Sequence, residues 1–520
     1  MAARLAWVSP VVLPCALSAG YLALLITRFP RLVRWESADS DIVSAFTLTE
    51  AIAGGHTGPV VLSTQGSWVP LAFGLLTHGL SFHRLLWEIS PMLVSLASAL
   101  VIGWAVSRVA GRAAAALTVA MVVAASPTVL ANFSAAFFHN TTIIGAAILD
   151  AYLVWLAART RSREAVAASA VVLSVVIGTF LASDALLFVD GLIPFTGAVL
   201  LLAWRRSDRR GLAPVLGVTA GALVVRALTA ALASSQGLIT TTPAVRLMRD
   251  QIGVHAGWLV DGLLRLGGGL RTAPGGPPEP LLVGAAVAMT AAIVVTLVTA
   301  ARGLGRVPAR ELGGACSLHT CFWAGSLVCV SLAYVLTTVA VEPSDRYLVI
   351  AIPAVAAVVP LHINRARVRS LIGAGAMVLA LTNLVALADD LERTVIRQGP
   401  AVAVLGRIES VVRVERLGVG YAGYWDAAAL TWSSGGRLPV YPITDVSGRT
   451  APMFLARVSS WYQPRKRTPS YIILAPADAD LADRLPPGLP RPRREIHLGA
   501  ITLAVYPNDV ARYLAAPLTP

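Results

Sequence analysis

Apolar and polar positions along this 520-residue chain fall into long blocks rather than short alternations. A spanning helix needs about 20 mostly apolar residues. By that measure the pattern predicts about eleven helices, near 6–27, 90–107, 113–131, 141–158, 165–182, 185–204, 211–232, 281–301, 318–341, 346–362 and 370–388. The pair 165–182 and 185–204 forms one apolar run broken only by Ser183-Asp184. The first run, Leu5 to Thr27, is longer than the core of a signal peptide, so it reads as a retained helix.

Elsewhere the pattern changes. Residues 31–89 contain amphipathic stretches such as SWVPLAFGLLTHGLSFHRLLWEI, which read as helices lying along the bilayer interface. Residues 233–280 end in GGGLRTAPGGPPEP, whose glycines and prolines oppose regular structure, so this segment reads as a lid or a linker. After residue 388 strand-like runs alternate with turn signals: RLGVGYAGYWDAAALTW, GRLPVYPI, PSYIILAP and REIHLGAITLAVYP. The last is a hairpin pattern around Gly499, and ADADLADRL reads as a short helix. About 130 residues suffice for one small α/β domain. The expected fold class is a polytopic α-helical membrane protein with a small C-terminal extracytoplasmic α/β domain. The transmembrane module covers 1–388, with outer loops 31–89 and 233–280, and the second domain covers 389–520.

Composition supports a membrane protein. The chain is 56% hydrophobic and 13% charged, with a mean hydropathy of +0.70, where soluble domains carry about 25% charge. A net charge of +14 would suit nucleic acid, but its distribution does not. The arginines sit in short clusters between apolar runs: 108 and 112; 159, 161 and 163; 205, 206, 209 and 210; 302, 306 and 310; 365, 367 and 369. These occupy every second connection, which is the positive-inside signature. The alternate connections then face outward, the N-terminus lies in the cytoplasm, and the C-terminal domain lies outside the plasma membrane. Lys466 is the only lysine among 42 basic residues, a bias expected of a GC-rich genome such as an actinobacterium's. The four cysteines lie in or near apolar runs without metal-ligand spacing and read as core residues.

That orientation gathers ionisable residues on the outer side. Glu36, Asp39 and Asp41 crowd into six residues after the first helix, in RWESADSDIVS. His139 precedes the fourth helix, Asp184 interrupts the long apolar run, and Asp345 and Arg346 precede the tenth. Charges at a membrane surface are cheap, and some of these acids need only solvate a loop. Asp184 differs, because its tight turn keeps it near the membrane, where ionisable residues are functional by default. Acids alone can bind a divalent cation through oxygen ligands. A carboxylate can also deprotonate a hydroxyl nucleophile, and an arginine can neutralise a phosphate leaving group. Together these describe transfer from a lipid phosphate to a hydroxyl.

The stretches ADSDIVSAFTLTEAIAGGH, VVLSTQGSWVPLAFGLL and GLSFHRLLWEISPML resemble the first outer loop of GT-C glycosyltransferases, in particular the bacterial, PMT-like enzymes that use polyprenyl-phosphate sugars. The matches are Ser40-Asp41, Gln65-Gly66 and Arg84, with Arg346-Tyr347-Leu348 and Pro353 leading into a late helix. The tail stretch GYWDAAALTWSSGGRLPVYPI resembles the family too. The resemblance implies an inverting transfer from a polyprenyl-phosphate sugar to a hydroxyl of a cell-envelope glycan, lipoglycan or protein. It implies Asp41 as catalytic base and Asp39 as a helper on sugar, acceptor or metal. It implies Arg346, in its Arg-Tyr-Leu motif with Tyr347, on the departing phosphate; His139, from its own place at a helix end, is a further candidate for the donor phosphate. Glu36, Gln65, Trp68, Asp184 and Arg84 are the expected substrate contacts, and His78 is a further sugar-site candidate. Trp68 also suits interfacial anchoring, and Trp425, Asp426 and Trp432 suit either a glycan site or a domain core. No cofactor is firmly implied; Mg or Mn on Asp39 and Asp41 is the open option. The sugar stays open between mannose, arabinofuranose, glucose and galactose. The alternative function is a transporter or a flippase for lipid or lipid-linked sugar. Transporters, however, place ionisable residues near the bilayer midplane on broken helices.

Overall fold

The computed structural model describes residues 2–36, 40–56, 58–62, 68–130, 139–157, 162–206, 212–239, 245–270, 276–305, 313–340, 345–393, 400–446, 449–453, 455–476, 485–486 and 488–514. The side chains of 2–9, 31–36, 40–42, 205–206, 304–305, 313, 340, 390–393, 400 and 446 are outside that description. The chain divides into two compact units. The first comprises Met1–Phe29, Ile89–Thr229 and Ala244–Glu392, and the second Pro30–Glu88, Ala230–Pro243 and Arg393–Pro520. By its contacts the 30–88 segment, expected as a loop of the transmembrane module, therefore belongs with the C-terminal residues.

Among the described residues, eight helices are long and apolar enough to cross a membrane: Pro10–Pro30, His83–Ala110, Arg163–Ser183, Leu212–Ser235, Glu279–Gly303, Gly314–Leu336, Asp345–His362 and Ala366–Asp389. The three other expected spans form shorter apolar helices, Arg112–Val123, Asn140–Leu156 and Phe188–Trp204. The chain is a multi-pass membrane protein. Small residues let these helices approach closely, as they must where lipid tails offer no hydrophobic drive to association. A Cβ at Gly178 would lie 2.7 Å from the Ala222 carbonyl oxygen, and one at Gly221 would press on Ser174. The first unit's core runs from Ile102 and Leu117 through Leu153, Phe195 and Phe322 to the wholly buried Ala351–Val358 helix.

The 233–280 segment, read as a lid or a linker, carries regular structure of its own. It holds a 15-residue helix, Ile252–Leu266, and the short strand Leu238–Ile239. The helix precedes the glycines and prolines that mark the segment, so those breakers act only beyond it.

In the second unit a six-stranded mixed sheet forms. In spatial order its strands are Arg449–Pro452, Val440–Val446, Val419–Gly423, Ser470–Leu474, Ile501–Tyr506 and Arg494–Leu498. The central strand Val419–Gly423 runs parallel to both neighbours. The last two strands form the expected hairpin, with Gly499 in the left-handed region at φ 73°. Alternation along the strands assigns the faces. Tyr421, Ile443, Ile472 and Ala504 join one core with Leu48, Ala51 and Leu71. Ala422, Val440, Ile473 and Leu503 join another with Ile408 and Leu430. The first core carries apolar residues of the 30–88 segment, and so explains why that segment groups with the C-terminal residues. ADADLADRL lies almost wholly outside the described residues.

Candidate functional site

In the first unit four expected site residues come together. His139 precedes the Asn140–Leu156 helix and Asp184 caps Arg163–Ser183, so both stand at helix ends. The His139 Nδ1 lies 2.7 Å from Asp184 Oδ2, and each side chain is 2% exposed. An ionised carboxylate only accepts, so the imidazole carries its proton on Nδ1 in this contact. Thr142 Oγ1 donates to the same oxygen at 2.7 Å, and the Leu186 amide donates to Oδ1 at 3.0 Å. The Asp345–Leu348 turn brings the Tyr347 ring to 5.8 Å from the His139 ring. Arg346 lies over the Tyr347 ring at 5.0 Å and donates to its hydroxyl at 3.1 Å. Asp345 pairs with Arg265 at 3.5 Å. Asp184, His139, Tyr347 and Arg346 thus form one connected row, with a carboxylate at one end and a guanidinium at the other.

The second unit holds the other candidates. Asp41 is the second residue of the Ser40–Ala53 helix, and Glu36 ends the Ala2–Glu36 helix. Their carboxylates, and all of Asp39 and Gln65, lie outside the described residues, and so does the Mg or Mn option on Asp39 and Asp41. Trp68 opens the Trp68–Thr77 helix, and its indole N–H is buried with no hydrogen-bond partner among the described residues. Arg84 sits 4.2 Å over the Trp432 ring and donates to Glu88 at 3.3 Å, partners that fix it without a substrate. Trp432 is buried, with Phe46 edge-on at 4.5 Å, whereas Trp425 is half exposed. Glu50, His78 and His83 converge, with Glu50 Oε1 3.0 Å from His78 Nδ1 and 3.2 Å from His83 Nε2.

No family model matches the chain, and no curated protein matches it. Solved structures do. ArnT from Cupriavidus metallidurans, bound to undecaprenyl phosphate, superposes over 94% of this chain and 97% of its own, with a TM-score of 0.50 at 13% identity. The chain shares the fold of this ArnT. The apo form of the same ArnT covers 96% and 99% of the two chains at 17% identity, with a TM-score of 0.46. The oligosaccharyltransferase of Archaeoglobus fulgidus covers 80% and 64% at 12% identity, with a TM-score of 0.41.

Within this fold several polar groups escape a reading of the sequence. Asp150 and His319 form a fully buried pair, with His319 Nδ1 2.8 Å from Asp150 Oδ1 and Nε2 3.1 Å from the Ala357 carbonyl. Asp150 had a signal, being an acid inside a predicted spanning helix; its partner is 169 residues away. Asp190 is buried in a π-helical turn, Phe188–Leu192, a feature frequent at functional sites, and its Oδ1 has no hydrogen-bond partner among the described residues. Thr142, the third member of the Asp184 cluster, lies in the first turn after His139, where a hydroxyl gives no signal in the sequence.

Proposed function

We propose that this chain is a membrane glycosyltransferase that moves a sugar from a polyprenyl phosphate to a hydroxyl of a cell-envelope glycan, lipoglycan or protein. The observation that carries the reading is the fold it shares, over nearly the whole of both chains, with ArnT bound to undecaprenyl phosphate. The arginine distribution supports placing the reaction at the outer face.

In this reading Asp41, at the start of its helix, takes the proton of the acceptor hydroxyl. The acceptor oxygen attacks the anomeric carbon from the side opposite the phosphate, and the sugar–phosphate bond breaks with inversion. Arg346 neutralises the lipid phosphate as it leaves. Tyr347 holds the guanidinium by its ring and its hydroxyl. Asp184 and Thr142 orient His139 beside Tyr347. Asp39 and Gln65 serve the sugar or the acceptor, and a mannosyl or arabinofuranosyl donor is the first choice to assay.

The test is transfer in proteoliposomes supplied with polyprenyl-phosphate sugars. Asp41→Asn is expected to lower turnover by about 10²–10⁴-fold, the usual worth of a general base; full activity in that variant overturns the assignment. The second reading, a proton-coupled transporter or flippase, is favoured by the buried Asp150–His319 pair, since such pairs serve proton relays. Translocation of labelled lipid-linked sugar without any transfer would select it.

A further inference from the structure

We propose a Zn²⁺ site at Glu50, His78 and His83, residues other than the carboxylates of the sugar-transfer reading. Glu50 comes from the Ser40–Ala53 helix, His78 follows Trp68–Thr77, and His83 opens His83–Ala110. One ligand atom from each lies within 4.8 Å of the others. Ligand atoms bound tetrahedrally to zinc at about 2.0–2.1 Å stand about 3.3–3.4 Å apart. The 3.0 Å and 3.2 Å separations from Glu50 Oε1 are already close to that edge.

The second observation concerns the orientation of His83. Its Nδ1 lies 3.2 Å from the Leu80 carbonyl oxygen, which can only accept, so the proton sits on Nδ1. This is the outer contact that metal-bound histidines usually make, and it turns the Nε2 lone pair toward the ligand. That Nε2 is buried and has no hydrogen-bond partner among the described residues, yet Glu50 Oε1 faces it at 3.2 Å. Either a proton on Nε2, which makes the ring an imidazolium ion-paired with Glu50, or a metal ion can join the two atoms, and the metal is the option the convergence of His78 on the same carboxylate oxygen favours. Phe46 stacks on the imidazole at 5.5 Å and 3°, which holds the ring in this pose.

Two imidazoles and one carboxylate form a borderline-soft set that suits zinc and not the all-oxygen ions magnesium and calcium. The side chains are 38%, 24% and 40% exposed for His78, His83 and Glu50, so an ion can enter and a water can complete the tetrahedron. The ion would tie the helix that begins at Ser40-Asp41 to the start of His83–Ala110. It is a positioning metal, and it stands whether or not the chain transfers sugar.

The experiment uses tag-free, full-length protein in detergent, stripped with chelator and returned to Zn²⁺ or Co²⁺. One Zn²⁺ per chain is expected by elemental mass spectrometry. Co²⁺ should give the intense visible absorption of a tetrahedral nitrogen-ligated ion. His78→Gln and His83→Gln should each weaken Zn²⁺ binding at least about tenfold, because each removes one of three protein ligands. Asp41→Asn should bind as the wild type does. Zn²⁺ should raise the Tm of the wild type and not that of the double histidine variant. Absence of stoichiometric Zn²⁺ in the wild type, or undiminished binding in the double variant, overturns the proposal. A Zn²⁺ ion lost on Asp41→Asn overturns it as well, by moving the ligands to the other acids. The wild-type Co²⁺ spectrum decides the matter even where a variant fails to fold.

Discussion

Asp184 accepts hydrogen bonds from an imidazole, a hydroxyl and a backbone amide, and each donor reduces the cost of holding a carboxylate away from water. Thr142→Val keeps the shape and removes one donor. It is expected to cost about 1–3 kcal/mol of stability, read as a lower Tm in detergent; an unchanged Tm would mean that the hydroxyl is dispensable. Among the described residues, Asp150 and His319 have only each other and the Ala357 carbonyl. His319→Leu leaves the carboxylate buried without its partner and should cost about 3–5 kcal/mol, whereas His319→Leu combined with Asp150→Leu should recover most of that loss. Equal losses in the single and double variants would show that the pair's geometry, and not its charge, matters. Arg346 is the residue on which the leaving-group reading turns. Arg346→Lys keeps the charge but loses the planar fork, so turnover should fall at least about tenfold while the Tm stays within about 1 °C.

Elements pack here through glycine at the points of closest approach, and two cases predict different costs. At Gly178 a Cβ would meet Val225 and the Ala222 backbone oxygen, between the helices Arg163–Ser183 and Leu212–Ser235. Backbone cannot rotate away, so Gly178→Val should part these helices and cost about 1–3 kcal/mol or more. At Gly74 the Cβ would meet the Thr49 side chain, which can change rotamer, between Trp68–Thr77 and Ser40–Ala53. Gly74→Ala should therefore be the milder change. Thermal unfolding of both variants checks the order; a larger loss at Gly74 would mean that Thr49 is locked. The same helix pair shows what an amphipathic stretch can declare. Leu71 is buried in a core with Leu48, while Leu76 is 83% exposed among the exposed Leu75, Leu80, Phe82 and Leu85, as a helix lying on a bilayer interface requires. In the sheet, period-two alternation placed the strands and the Gly499 hairpin in advance, because that pattern is local to each strand.

At the scale of the whole molecule, the arginine clusters predict which side of the membrane each connection faces, and Lys466 offers a clean check. It is the only lysine and it is exposed in the second unit. A membrane-impermeant amine reagent should modify Lys466 in intact cells or right-side-out vesicles. Modification only after lysis would reverse the orientation and place the candidate site in the cytoplasm.

All eleven apolar segments read from the sequence are helices, and the tail forms an α/β unit. Burial of apolar blocks and strand alternation are short-range rules, so periodicity sufficed for both. It also flagged His139, Asp184 and Arg346 as charged or polar residues at the ends of apolar runs, while Tyr347 came from the family resemblance alone. It did not pair them. His139 and Asp184 are 45 residues apart, Asp150 and His319 169, and Glu50 and His78 28. Nor did it show that the 30–88 segment shares a core with a sheet more than 300 residues later in the chain. Sequence by itself determined the class of protein, its elements and the sidedness to be tested, because those follow from each segment's own partition between water and lipid. Only the tertiary structure decided which polar side chains meet, because a hydrogen bond depends on separations of about 3 Å between atoms that the chain brings together only when it folds.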